Sequence, residues 1–408
     1  MSMRAVLLVI DALGIGAMPD VAQVRPLDAG AHTLNSVLRT NPGLGIGTLL
    51  RLGLGHLVDL PALVHSTPGQ PLASYGICQL AYPGADSYLG HQEIMGTIPK
   101  PPVKTLMRQA APQIEKRLLE AGYRVQRPLP GADLLLVEQA LIIGDNLEAD
   151  PGLNINLTVP TDIIDFDEAL RIGWIVRQCV QVSRVIVFGG PGIDVAYILS
   201  HAHQRSNGQF GIDSPAIGVY NENLLVQHLG YGVVPDQQAA SIIAKAGLPV
   251  TLIGKMADLI SCAGASKDSL VPTPSVMKAV LAAFRAAQEG LVAATVQETD
   301  LAGHGGDASR FGAVLEVVDR GLAELLLEIN ESDVLIICAD HGNDPFVHPG
   351  QHTREQVPLL LYQKGRDAVY LGMRRTLADI GATLSHYFGL QTTQDGTPIS
   401  IRNAASVE

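Results

Sequence analysis

The chain opens on an unbroken apolar run, Ala5-Val-Leu-Leu-Val-Ile10, closed by Asp11. Rich in Val, Ile and Leu and without polar alternation, it has the pattern of a parallel strand buried on both faces. The design recurs at 334–339, closed by Asp340 and His341, at 291–296 ahead of Asp300, and at 249–253 ahead of Gly254 and Lys255. Four apolar strands that each deliver a polar group just past a carboxyl end predict an open α/β sheet with its ligand at that edge. Helical spacing over 275–289, 308–330 and 377–388 alternates with the strands, which predicts βαβ units.

The middle of the chain reads differently. It carries its own strands at 140–143 and 184–188 and a helix over 167–178, and Pro99, Pro101 and Pro102 cluster at its entry. Since the strand-then-acid pattern stands on both sides of it, 101–233 is expected as a smaller α/β domain inserted into a discontinuous core of 1–100 and 234–408. The fold class is therefore α/β, with a mainly parallel sheet flanked by helices and an inserted cap. No internal repeat or low-complexity tract interrupts the pattern.

Composition narrows the class of partner. Hydrophobic residues make up 47% and charged residues 17%, as in globular proteins rather than disordered ones. Twenty-eight basic residues against 40 acidic ones, a formal charge of −12, argue against nucleic acid or an acidic membrane surface as the main partner. An anionic substrate would have to be held by local metal ions or a few basic side chains. Cys78, Cys179, Cys262 and Cys338 are too scattered for a disulfide framework or a zinc knuckle, and are expected as buried thiols in a reducing, cytoplasmic setting. The first apolar run is too short for a signal peptide, and no segment is long enough to span a membrane.

The richest chemistry lies in Asp340-His341-Gly-Asn-Asp-Pro-Phe-Val-His348-Pro-Gly-Gln-His352. A carboxylate and an imidazole at a strand end, with further imidazoles 7 and 11 residues after His341, suit a divalent cation that takes mixed oxygen and nitrogen ligands. Asp300 and His304, four apart after another apolar strand, form a second candidate pair, and Asp11 a third group. Together they suffice for two metal sites with open positions. Asp86-Ser87 supplies an oxygen nucleophile, which coordination would activate. The same two residues also read as the cap of a helix running toward Met95.

Over most of the predicted core the chain resembles the phosphopentomutases of the alkaline phosphatase superfamily. The resemblance rests on LLVIDALGIGAMPD, RLGLGHL, GHQEIMG, IGKMADL, TDLAGH, ADHGNDP, HTRE followed by VPLL, and LADIGATL, in that order. It implies an alkaline-phosphatase-like core with one metal on Asp11, Asp340, His341 and Ser87, and another on Asp300, His304 and His352. Manganese is the metal usual in such enzymes, with zinc and magnesium as alternatives. Ser87 stands where the family carries a phosphorylated Thr. Asp86, His91 and His348 are expected behind the ligands, Asp150 at sugar hydroxyls and Lys255 near the phosphate.

The chain also departs from that pattern. Asp300 and His304 are four apart where the family has five, a spacing closer to cofactor-independent phosphoglycerate mutase. VIVFGGPG places Phe188 where an arginine is expected, and 208–215 lacks arginine as well, which leaves His201, His203 and Arg205 as the nearest basic candidates for the substrate phosphate. The expected activity is a phosphoryl shift within ribose or deoxyribose phosphate, or a related small sugar phosphate, through phospho-Ser87. The alternative is a phosphatase or phosphodiesterase on the same site. A metal-binding protein without activity is the third reading, disfavoured because nucleophile and ligands are all present. Oligomeric state is not legible.

Overall fold

The computed structural model describes residues 3–58, 69–221, 223–347 and 350–401. The chain divides into two compact units, Met1–Ile98 with Val234–Glu408, and Pro99–Val233. The second unit thus begins two residues before the expected 101.

The first unit is built on an eight-stranded sheet. Its order is Ser266–Asp268, Val250–Gly254, Gly290–Val296, Arg4–Ile10, Val334–Cys338, Val357–Tyr362, Ser74–Cys78, Tyr370–Arg374. All run in one direction except Val357–Tyr362, which is antiparallel to both neighbours. Every residue of Gly290–Val296 and Val334–Cys338 is buried, as the continuous apolar runs require of strands covered on both faces. Helices Thr273–Ala286, Ala308–Glu328 and Ala378–Tyr387 contribute to the same core.

Register decides where the polar strand ends emerge. Ile10 pairs with Val296, Val9 with Cys338, and Gly254 with Thr295. Asp11, Lys255, Asp300 and Asp340 therefore leave the sheet at one edge, the carboxyl end, although up to 329 positions separate them in the chain.

The second unit has a six-stranded sheet of order Leu225–Gly230, Arg184–Gly190, Asn154–Pro160, Leu141–Asp145, Leu135–Val137, Val125–Gln126. Only Asn154–Pro160 and Arg184–Gly190 pair in parallel, joined through helix Phe166–Cys179 as a βαβ crossover. That helix and Met107–Glu120 pack together over one apolar cluster. A second cluster contains Ile186, Phe188, Ile198 and Ile217.

All four cysteines are free, and Cys78, Cys262 and Cys338 are buried. Cys179, expected to be buried, is only partly so, since it sits in the last turn of its helix with Sγ donating to Ile175 O.

The LADIGATL run has a packing reason. A Cβ on Gly381 would lie 2.5 Å from the backbone carbonyl carbon of Met95, so Ala378–Tyr387 crosses the end of the Ser87–Ile94 helix where only glycine fits. Gly381→Ala is expected to destabilise the protein by about 1–3 kcal/mol through overpacking, read as a lower urea midpoint.

Candidate metal centre

Three buried carboxylates converge at the sheet's carboxyl edge. Asp11 and Asp340 are fully buried and Asp300 is 4% exposed. Asp11 is followed by Ala12 at φ +63°, a left-handed conformation that non-glycine residues adopt only under strain. That turn aims the Ala12 N–H at Asp340 Oδ1, 3.1 Å away. Asp300 lies on the short helix Glu298–His304, which brings His304 Nε2 to 3.5 Å from its Oδ2.

Ser87 is the first residue of helix Ser87–Ile94, whose cap is the Asp86 carboxylate accepting from Leu89 N at 2.9 Å. Helix capping and the placement of the Ser87 hydroxyl thus share one dipeptide. Ser87 Oγ lies 2.8 Å from His341 Nε2, 3.1 Å from Lys255 Nζ and 3.4 Å from Asp11 Oδ1.

The three cluster imidazoles share an orientation. Nδ1 faces a backbone carbonyl in each: Gly342 O at 3.0 Å for His341, Gly350 O at 2.9 Å for His304, Ala85 O at 3.3 Å for His352. Each Nε2 then turns toward the carboxylates. His352 Nε2 is 3.3 Å from Asp300 Oδ1 and 3.0 Å from His304 Nε2, and the His341 and His352 rings stack with centroids 4.0 Å apart. Nδ1–H donation to a carbonyl leaves Nε2 as a lone-pair donor, the arrangement metal-ligating histidines use.

Among the described residues, two groups have possible ligand atoms within 4.8 Å of one another: Asp11, Asp340 and His341, and Asp300, His341 and His352. The donor set fits divalent cations. Asp11 Oδ2 and Asp340 Oδ2 are buried and accept no directed hydrogen bond. Their neighbours are the Lys255 ammonium, 2.5 Å from Asp11, and the His341 and His91 imidazoles, 3.2 and 3.3 Å from Asp340. Uncompensated buried charge is costly, so the protein draws positive charge to this place.

The titration behaviour reports the same demand. Burial, then Asp340, pushes the Asp11 carboxyl up to about 7. Burial opposes the charge on His341, yet Asp340 and its neighbours push the imidazole up to about 10. Against burial, Asp11 and Asp300 raise Lys255. Asp300 and Asp340 stay below the carboxylate range despite burial, the first through His304 and His352, the second through His341. Burial and the nearby His341 lower His352.

The other expected residues are distributed as follows. Lys255, expected at the substrate phosphate, sits inside the cluster, with Nζ 3.2 Å from Asp300 Oδ2 as well as against Asp11. His91 is buried behind Asp340. Asp150 and Arg205 belong to the second unit; Asp150 is exposed and pairs with Lys104 at 3.2 Å, and Arg205 follows strand Ala202–Gln204 on an exposed turn. His348 lies outside the described residues.

Sequence reasoning passed over the side chains that hold the loops, although they stand inside the quoted motifs. Arg354 is 2% exposed. Its guanidinium donates to both oxygens of Asp20, at 2.9 and 2.8 Å, and to the carbonyls of Leu80, Tyr82 and Gly84, at 3.0, 2.8 and 2.7 Å. Glu355 accepts from Thr33 Oγ1 and Thr353 Oγ1, both at 2.6 Å, from Thr33 N at 2.9 Å and from Gly16 N at 3.1 Å. Gly14 and Gly342 have no Cβ because it would collide with the Glu355 carboxylate. Glu93 accepts from Ala81 N, Tyr82 N, Thr376 Oγ1 and Leu377 N. Arg354→Lys keeps the charge but cannot reproduce the fork, and is expected to lose about 2–4 kcal/mol in urea unfolding by leaving buried acceptors unpaired.

Comparison with known proteins agrees with this chemistry. The family model described as Metalloenzyme superfamily matches residues 3–392. The phosphopentomutase of Kosmotoga olearia is 29% identical over 408 residues, covering 97% of this chain and 98% of that one. That of Thermotoga maritima is 28% identical over 416 residues, covering 97% and 98%. That of Symbiobacterium thermophilum is 30% identical over 413 residues, covering 96% of both chains. With buried acids and imidazoles gathered at one sheet edge, and full-length similarity to these enzymes, the chain belongs to the metalloenzyme superfamily and, within it, to the phosphopentomutase family.

Proposed function

We propose that this chain is a sugar-phosphate phosphomutase that moves a phosphoryl group between two oxygens of ribose or deoxyribose through phospho-Ser87. The observation that carries the reading is the position of Ser87 Oγ, at a helix start and within 3.4 Å of His341, Lys255 and Asp11. In this proposal Asp11, Asp340, His341 and Ser87 hold one divalent cation, and Asp300, His304 and His352 the other. When bound, the pair supplies Lewis acidity that lowers the serine pKa and neutralises phosphoryl oxygens. The mixed carboxylate and imidazole set suits manganese, with zinc and magnesium as alternatives.

The chain's own groups account for the rest. The Ser87 hydroxyl donates toward Asp11 Oδ1 at 3.4 Å, so a carboxylate is in reach of the proton as the Oγ–P bond forms and the sugar P–O bond breaks. Lys255 Nζ, 3.1 Å from the same hydroxyl, brings positive charge to the phosphoryl oxygens. The helix that begins at Ser87 adds the positive end of its dipole. Transfer of the phosphoryl group back from Ser87 to a second sugar oxygen completes the shift.

Substrate binding is assigned to Pro99–Val233, with exposed Asp150 and Arg205 as its candidates for sugar hydroxyls and phosphate. Phe188 takes no part in phosphate binding, because it is 2% exposed in an apolar cluster and stacks on Tyr220 with centroids 6.4 Å apart. No helix among the described residues is long and apolar enough to cross a membrane, and with four free cysteines the proposed setting is the cytoplasm.

Protein loaded with Mn2+ is expected to interconvert ribose 1-phosphate and ribose 5-phosphate with little release of inorganic phosphate. Release of phosphate as the main product would make the enzyme a phosphatase instead. Ser87→Ala should lower exchange roughly a thousandfold or more, and the phosphorylated peptide from wild type should contain Ser87 by mass spectrometry. Adding Mn2+ at ~100 times its Kd to metal-free protein should stabilise the fold by about 2.7 kcal/mol, read as a rise in Tm that chelation reverses.

A further inference from the structure

His91 is fully buried, and unlike the three cluster imidazoles it turns its Nδ1 edge, not its Nε2, toward a carboxylate. Its Nδ1 lies 2.8 Å from the Ser87 carbonyl oxygen and 3.3 Å from Asp340 Oδ2. Both are acceptors, so Nδ1 carries a hydrogen and is no ligand. Its Nε2 lies 2.8 Å from Thr295 Oγ1, a hydroxyl able to give or accept and itself fully buried. The ring thus spans three elements: the helix that begins at Ser87, the carboxylate after strand Val334–Cys338, and strand Gly290–Val296.

The neighbouring residue shows how tight this junction is. A Cβ on Gly90 would lie 2.8 Å from both Cβ and O of Asp340, so the helix rests directly on that aspartate. Asp340 Oδ1 is already held by the Ala12 N–H. The remaining oxygen accepts no directed hydrogen bond and lies 3.3 Å from His91 Nδ1 on one side and 3.2 Å from His341 Nε2 on the other. An imidazole edge packed against a ligating carboxylate limits its rotation and tunes its basicity.

We propose that His91 is a positioning residue: its Nδ1–H donates to the Ser87 carbonyl, which sets the ring 3.3 Å from the Asp340 carboxylate, and the ring thereby keeps that carboxylate in place beside the Ser87 helix and sets the affinity of the Asp340 site for a divalent cation. The inference rests on the metal-dependent reading above. Thr295 is the second member of the device, since it fixes the ring's rotation from behind.

Asparagine and glutamine separate the two ring nitrogens, because the Asn amide can occupy the place of Nδ1 and the Gln amide that of Nε2. Calorimetric titration of metal-free protein with Mn2+, alongside the Tm of the same metal-free samples, reads the effect independently of turnover. His91→Gln is expected to weaken Mn2+ binding 10- to 100-fold, while His91→Asn stays within roughly 3-fold of wild type at a similar metal-free Tm. At saturating Mn2+, His91→Gln should lower kcat and leave KM for the sugar phosphate unchanged. Equal Mn2+ affinity in wild type and both variants, or equal losses in both, overturns the proposal. Should either His91 variant fail to fold, Thr295→Val decides, with roughly 3- to 10-fold weaker binding expected and unchanged binding overturning it. Failure of wild type itself to bind Mn2+ would instead sink the metal-dependent reading on which the inference rests.

Discussion

Three carboxylates buried at one end of a sheet are the constraint around which this protein is organised. Asp11, Asp300 and Asp340 lie where water cannot screen them, and each adjoining feature supplies positive charge or holds them in place. In the structure Lys255 and His341 meet part of that demand, with Lys255 Nζ bridging Asp11 and Asp300. Burying like charges together without compensation would oppose folding, so the arrangement makes sense as a receptor for cations of higher charge.

Such a centre needs a rigid frame, and the frame is polar. His352, Thr353, Arg354 and Glu355 are consecutive residues with separate tasks. His352 joins the cluster; Thr353 pairs with Gly342 through its backbone and with Glu355 through its hydroxyl. Arg354 gathers the loop from Leu80 to Gly84 that leads to Ser87, and Glu355 gathers the turn after Asp11. One short segment therefore ties together the loops that carry Ser87 and two of the three acids. Since each of these buried polar groups is satisfied by several partners, a local shift disturbs all of the loops together.

The division of labour among the histidines follows from the same frame. A backbone carbonyl at Nδ1 leaves Nε2 of His304, His341 and His352 available as a donor of its lone pair. His91 also has a backbone carbonyl at Nδ1, but its Nε2 meets Thr295 Oγ1, so no ring nitrogen is left for a cation. Sequence spacing treats the four rings alike, and only their surroundings distinguish the rings with a free Nε2 from the one without.

The amino-acid sequence alone determined the apolar strands and the acids that follow them, because a strand covered on both faces must be apolar throughout and the first polar residue after the run marks its end. It also determined the helix that begins at Ser87, whose cap Asp86 acts within a few residues of itself, and the motif resemblance. Tertiary structure alone decided that Val357–Tyr362 runs against its neighbours, since antiparallel and parallel strands buried on both faces share one pattern. It likewise decided that Lys255 lies among the acids, and that Arg354 and Glu355 reach back to partners more than 250 residues earlier. Such pairings leave no periodic trace in a sequence, because a hydrogen bond across the fold constrains two distant side chains and none of the residues between them.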